Sequence, residues 1–182
     1  DKDLWMVGGL HMDHKTYELT EFPWGYGSCR LDTSTSSKKV VGQGTSFFWH
    51  QLLMGDTADG IPGLPKFGRQ LSMEYWPTKA LLAARSKSSS ITKIAANYTQ
   101  KSAGPVATHQ YLDGCVDDRE AFTRVRTAYL SYYGTGSFTA KDWRGQEYTA
   151  TAGHMLLEQA RLLWMRRQPN EDVQTFFKEV IT

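Results

Sequence analysis

The sequence predicts a mixed α/β chain, on three observations. Leu4-Trp5-Met6-Val7 is a short apolar run of buried-strand type close to the chain start. Later stretches place apolar residues at helical spacing, notably around Phe47, Phe48, Leu52 and Leu53, over residues 117–133, and over residues 151–165. Between these lies a segment in which Gly60, Pro62, Gly63 and Pro65 forbid a helix from continuing. Strand-like material thus comes first and helices dominate afterwards.

Taken in order, the strand at residues 4–7 is expected to end at Gly8-Gly9. His11-Met12-Asp13-His14 reads as a surface turn rather than a zinc site, because no further Cys or His stands at a suitable spacing. Residues 15–22 alternate loosely and suit a short hairpin strand, and Pro23-Trp24-Gly25-Tyr26-Gly27 is a turn. The Ser- and Thr-rich residues 28–37 read as a surface loop, followed by a short extended piece from Lys38 to Gly44. Thr45 is expected to cap a helix that aims two acids, Asp56 and Asp59, at its far end. Residues 77–82 and 91–100 read as further helices, the latter stopped by Ser102-Ala103-Gly104-Pro105. Asp117 caps the helix that runs to about Tyr133, with Ala121, Phe122, Val125, Ala128, Tyr129 and Tyr132 on its core face rather than stacked on bases. After a connector at residues 145–148, the last long helix covers residues 151–165, with Arg166 and Arg167 at its negative end. Asn170-Glu171-Asp172 starts a closing helix that carries Phe176, Phe177 and Val180.

The acids carry the chemistry. On one helical turn, Asp56 and Asp59 share a face at i, i+3 spacing, where their repulsion is offset by a cation. In an extended start, Asp1 and Asp3 also share a face. Oxygen-only donors of this kind suit a hard ion such as Mg²⁺. The alternative for Asp56 and Asp59 is a helix cap and a solvated acid.

Asp1-Lys2-Asp3-Leu4 and Gly55-Asp56-Thr57-Ala58-Asp59-Gly60-Ile61-Pro62-Gly63, in that order and spacing, resemble the later metal-binding half of the 5′ nuclease family, the flap endonucleases and the 5′ to 3′ exonucleases of bacterial polymerases and bacteriophages. The resemblance covers residues 1 to about 85; beyond it, Gln159-Ala160-Arg161-Leu162-Leu163-Trp164-Met165-Arg166-Arg167 is similar to the C-terminal part of phage-type exonucleases. It implies the edge of a PIN-like sheet in residues 1–59, and in residues 60–182 a mainly helical DNA-binding region with a helix-three-turn-helix motif. It also implies Asp1, Asp3, Asp56 and Asp59 as catalytic metal ligands, with two Mg²⁺ or Mn²⁺ ions in the complete enzyme. Gly60, Gly63, Lys66, Arg69 and Lys79 then bind double-stranded or flapped DNA, with K⁺ at the hairpin in the family's usual form. The chain departs from the family in two ways. Residues 65–75 intervene before the second helix of the motif, and the family's earlier acids are absent, so the chain reads as a C-terminal fragment, a processed product or one half of a split protein needing an N-terminal partner.

Composition sets the boundaries of this reading. The 182 residues are 40% hydrophobic, enough for a sizeable core in one domain or one plus appendages. No run approaches the roughly 20 apolar residues of a membrane span, and nothing points to export. Cys29 and Cys115 read as free, structurally buried thiols of a reducing compartment, the cytoplasm, or the host's cytoplasm for a phage protein. Net charge is only +2, but Lys66, Arg69, Lys79, Arg85, Lys87, Lys93 and Lys101 face a single acid, Glu74, between Gly60 and Gln110. A basic stretch after an acidic cluster suits a phosphodiester enzyme; a solvated basic face is the alternative.

Overall fold

The architecture is organised by one helix that is buried on every side. The computed structural model describes residues 2–64, 104–142 and 144–182. Among these, a 3-10 turn at Lys2–Met6 leads into strands β1 (Gly9–Met12), β2 (Leu19–Phe22), β3 (Ser28–Asp32) and β4 (Lys39–Gln43), then helix α1 (Thr45–Met54). There follow α2 (Pro105–Leu112), α3 (Asp118–Tyr133), the strands β5 (Ser137–Lys141) and β6 (Glu147–Thr151), α4 (Ala152–Leu163) and α5 (Val173–Ile181). The chain is thus mixed α/β, with three two-stranded antiparallel sheets, β1-β2, β3-β4 and β5-β6, among the described residues. The expected helices at residues 77–82 and 91–100 lie outside them.

Nine consecutive residues of α1, from Thr45 to Leu53, are buried. A helix with no wet face must satisfy its ends through neighbouring backbone. At its start, Thr45 N–H donates to Gly25 O at 2.9 Å and Ser46 N–H to Tyr26 O at 2.7 Å, so the turn before β3 supplies the acceptors. The cap residue is Gly44, at φ 76°, where a Cβ would stand 2.6 Å from the carbonyl oxygens of Gly25 and Tyr26. Thr45 is therefore not the cap; its hydroxyl reaches Gly25 O and the carboxylate of Asp118. The same carboxylate accepts from Trp49 Nε1 at 2.7 Å, which ties α1 to the first turn of α3.

Around α1 the core is aromatic. Trp49 stacks on Phe177 at 5.7 Å and 17°, and Phe48 meets Trp164 edge-on at 5.0 Å. Each such pair contributes about 0.5–1.5 kcal/mol beyond the area it buries. From α3, the Tyr129 hydroxyl donates to Leu52 O at 2.8 Å. Ala121, Phe122, Val125, Ala128 and Tyr129 are buried, so the aromatic stripe of α3 is core. Asp117 caps α3 through Glu120 N–H, and Asp172 caps α5 through Gln174 N–H. Thr151 stands just before α4 and caps it through His154 N–H, and the helix ends at Leu163 rather than at residue 165. Arg167 instead pairs with Glu171 at 2.7 Å and lies over the Trp164 ring.

Several short elements differ from expectation. Residues 4–7 form no strand: the 3-10 turn is held by Gly44 N–H on Trp5 O at 2.8 Å, while Trp5 packs on Phe47 at 5.9 Å. Gly9 opens β1 instead of ending a strand, with Gly9 opposite Phe22 and Met12 opposite Leu19. Residues 28–32, expected as loop, pair with β4 because Cys29 and Leu31 turn inward onto the core while Ser28 and Arg30 face water. Gly104 and Pro105 start α2 instead of ending a helix, with Pro at the first helical position. The connector at 145–148 is the return of the β5-β6 hairpin, whose turn is closed by Asp142 accepting from Arg144 and Gln146 N–H. Of the expected turn His11-Met12-Asp13-His14, His11 and Met12 belong to β1 and the turn comes at residues 14–16: Asp13 accepts from Lys15 and Thr16 N–H, and these bonds hold its carboxyl below the usual range.

Both cysteines are free and half-buried, and burial pushes the Cys29 thiol up to about 11. Burial acts oppositely on His50, which is 3% exposed. Desolvation, with a smaller contribution from the neighbouring His109, lowers it to about 4, although Nδ1 lies 2.8 Å from Ser46 O. His50 is therefore folded as the neutral ring, with Nδ1–H donating to that carbonyl. The unfolded chain takes up a proton near pH 6.5 and the folded chain only near 4, so this stability is present above pH 6.5 and is lost as pH falls towards 4. In urea unfolding between pH 7 and 4, the wild type should lose on the order of 3 kcal/mol more stability than His50→Gln. Parallel pH profiles would show that His50 is not held neutral.

Candidate metal centre

At the C-terminal end of α1 the chain reverses within a few residues. Gly55, at φ 74°, leaves the helix with its N–H on Gln51 O at 2.7 Å. Asp56 and Ile61 then exchange two backbone hydrogen bonds, each 2.8 Å, closing a loop whose tip is residues 57–60. Gly63 lies so close beneath this loop that a Cβ there would stand 2.2 Å from Gly55 N, and Leu64 N–H returns to Leu53 O. Only glycine fits the two positions, since both combine positive φ with backbone contact.

Asp56 and Asp59 are therefore not neighbours on a helical turn. The helix stops at Met54, and it is the closed loop that turns both acids to one side. Asp3 approaches from the 3-10 turn, not from an extended strand. One carboxylate oxygen from each of Asp3, Asp56 and Asp59 lies within 4.8 Å of the others. Asp56 is buried, Asp3 intermediate and Asp59 exposed, so the group opens to water on one side. The Asp1 position is outside the described residues, as are Lys66, Arg69 and Lys79.

Gln51 is the residue that sequence reasoning passed over. Its side chain is 0% exposed, and its Nε2 donates to Asp3 Oδ1 at 2.7 Å and to Asp56 Oδ2 at 3.2 Å. One amide thus holds carboxylates from two distant segments in register. Its signal was a lone amide side chain beside His50 in a mostly apolar helix, five residues before Asp56. Ala58 N–H takes the other Asp56 oxygen at 2.9 Å. Two carboxylates at 4.8 Å repel by roughly 3.5 kcal/mol at an effective dielectric of about 20. Amide donors offset part of this, and a hard divalent cation reverses its sign. The donor set is all oxygen and mostly anionic, which fits Mg²⁺ or Mn²⁺ and not a thiolate- or imidazole-seeking metal.

The hairpin glycines divide. Gly60 stands at the exposed tip beside Asp59, at φ 71° with open space around it. Gly63 is buried and its N–H donates to Gln159 Oε1 of α4 at 3.3 Å, so that amide braces the loop and is not presented to a phosphate. No known protein family, curated protein or solved structure matches the chain.

Asp56→Asn removes one negative charge from the cluster while leaving an oxygen for Ala58 N–H. It also turns an amide nitrogen towards Gln51 Nε2, which loses its bond to Oδ2. Millimolar Mg²⁺ or Mn²⁺ should raise the melting temperature of the wild type by several degrees and that of the variant by little, as linkage to a ligand of the folded state requires. An equal rise in both would place the cation elsewhere.

Proposed function

We propose that this chain belongs to a metal-dependent 5′ nuclease, as the portion that carries the later acids and the DNA-binding region. The observation that supports this reading most is the convergence of Asp3, Asp56 and Asp59, from two segments about fifty residues apart, on one partly open site. In this reading residues 1–59 are the edge of a PIN-like catalytic domain, and residues 60–182 the helical DNA-binding region with its helix-three-turn-helix. Asp1, Asp3, Asp56 and Asp59 would hold one ion position, in part through water. A bound Mg²⁺ supplies charge stabilisation at the scissile phosphate and a more acidic water. Gln51 keeps Asp3 and Asp56 aligned, and the buried loop base keeps bulk water from one side of the cluster. The basic stretch containing Lys66, Arg69 and Lys79 tracks the phosphate backbone without reading sequence, and Gly60 presents backbone at the loop tip. K⁺ at the hairpin belongs to the same proposal. No helix among the described residues is long and apolar enough to cross a membrane. We place the activity in the cytoplasm.

A second reading, a DNA-binding subunit completed by an N-terminal partner, is favoured by the β1-β2 hairpin. Leu10, Met12 and Leu19 are each 60–66% exposed, and Met12 pairs with Leu19 across the strands. Such an apolar face next to the Asp3 segment suits cover by another chain.

The test is cleavage of a 5′-labelled duplex bearing a short flap. The expected result is cutting with Mg²⁺ and none with chelator. Asp56→Asn and Asp59→Asn should lose more than about 100-fold, the upper end of the loss for groups that merely support a metal ligand. Binding that falls steeply with salt but shows no cutting supports the second reading. Neither cutting nor binding contradicts both.

A further inference from the structure

We propose that the cleft enclosed by α3, α4 and α5 is a docking site for an acidic peptide that inserts one large apolar side chain. The cavity measures ≈ 300 Å³, near the lower end of volumes that bury a guest. Phe122, Tyr129, Leu156 and Phe177 line it and are buried, while Arg126 and Lys178, also lining it, are exposed. Among the described residues no acid lines the cleft. Among the described residues neither Arg126 nor Lys178 has an ion-pair partner.

A third source of positive potential comes from α4. Ala152 and Gly153, its first two residues, line the cleft. The opening N–H groups of a helix have no partner within it, and they carry partial positive charge. At Gly153 a Cβ would meet nothing nearer than Thr151 Oγ1 at 3.7 Å, so this position has room for a side chain.

An apolar hole ringed by two unpaired cations and a helix N-terminus complements an apolar group flanked by carboxylates. The chain's own residues 60–110 do not match, since they carry seven cations and one acid. Nucleic acid matches less well than peptide. Two cations are too few to follow a phosphate backbone, and the aliphatic walls, Leu156, Leu157 and Ile181, suit a side chain more than a stacked base. The cleft shares no residue with the acidic cluster, so it stands or falls independently of the nuclease reading.

The probe is a short fluorescein-labelled peptide of aspartates and glutamates around one phenylalanine, followed by anisotropy with the full chain. Saturable binding is expected, weakened about tenfold in Arg126→Ala with Lys178→Ala. A similar loss is expected in Gly153→Phe, which fills the opening from a position with room for a side chain. Circular dichroism and melting should show all variants folded. Absence of binding overturns the proposal, as does undiminished binding to Gly153→Phe or to a peptide with serine in place of phenylalanine. Displacement by duplex DNA at matching concentration overturns it in favour of nucleic acid, and displacement by phenylpropionate at matching concentration in favour of a small amphipathic acid.

Discussion

The burial of α1 on all sides is the constraint from which the rest of the structure follows. A helix without a solvent face cannot leave its end groups to water, so its neighbours must be backbone. The turn before β3 meets its first amides, and the Asp56–Ile61 loop folds under its last turn. Glycine is required where these backbones touch, at Gly44, Gly55 and Gly63. The polar side chains that α1 does carry are correspondingly committed. Thr45 and Trp49 share Asp118, His50 is kept neutral against Ser46 O, and Gln51 spans Asp3 and Asp56.

The acidic centre is thus a product of packing rather than of local periodicity. Asp56 is aimed by a bridge that closes behind it, and Asp3 by a 3-10 turn docked on α1 through Trp5 and Gln51. Three carboxylates in such proximity repel one another, and a buried Asp56 sharpens the repulsion. Helix α4 links this region to the cationic cleft. Gln159 braces Gly63, while Gly153, six residues earlier and about 9 Å along the axis, opens onto the cleft.

What could be read in the sequence depended on how much of each signal was local. Helix α3 was legible to the residue at its start and α5 to within three residues, because Asp117 and Asp172 are side-chain caps followed by an apolar face. Helix α1 was legible in its start and its apolar run but not in its end, which comes at Met54 before either acid, nor in its cap, since the acceptors come from a turn twenty residues earlier. The hairpins were poorly legible. Strands of four or five residues with one face in water give little alternation, and β3 hid inside a Ser- and Thr-rich stretch. The convergence of Asp3 with Asp56 and Asp59 was expected from a resemblance, while the geometry invoked for it, a strand and a helical turn, is not the one found. Gln51 escaped notice because an amide's role depends wholly on what it touches.

The central claim, that residues near both ends of this arrangement hold one cation, is tested most directly by iron-directed cleavage. Ferrous ion replaces Mg²⁺ at oxygen-rich sites and, with ascorbate and peroxide, releases hydroxyl radicals that cut backbone close by. The account requires two sets of cuts, one around Asp3 and one across residues 55–60, both suppressed by excess Mg²⁺ and both lost in Asp56→Asn. Cuts at only one of the two segments, or a pattern that Mg²⁺ does not suppress, would contradict it.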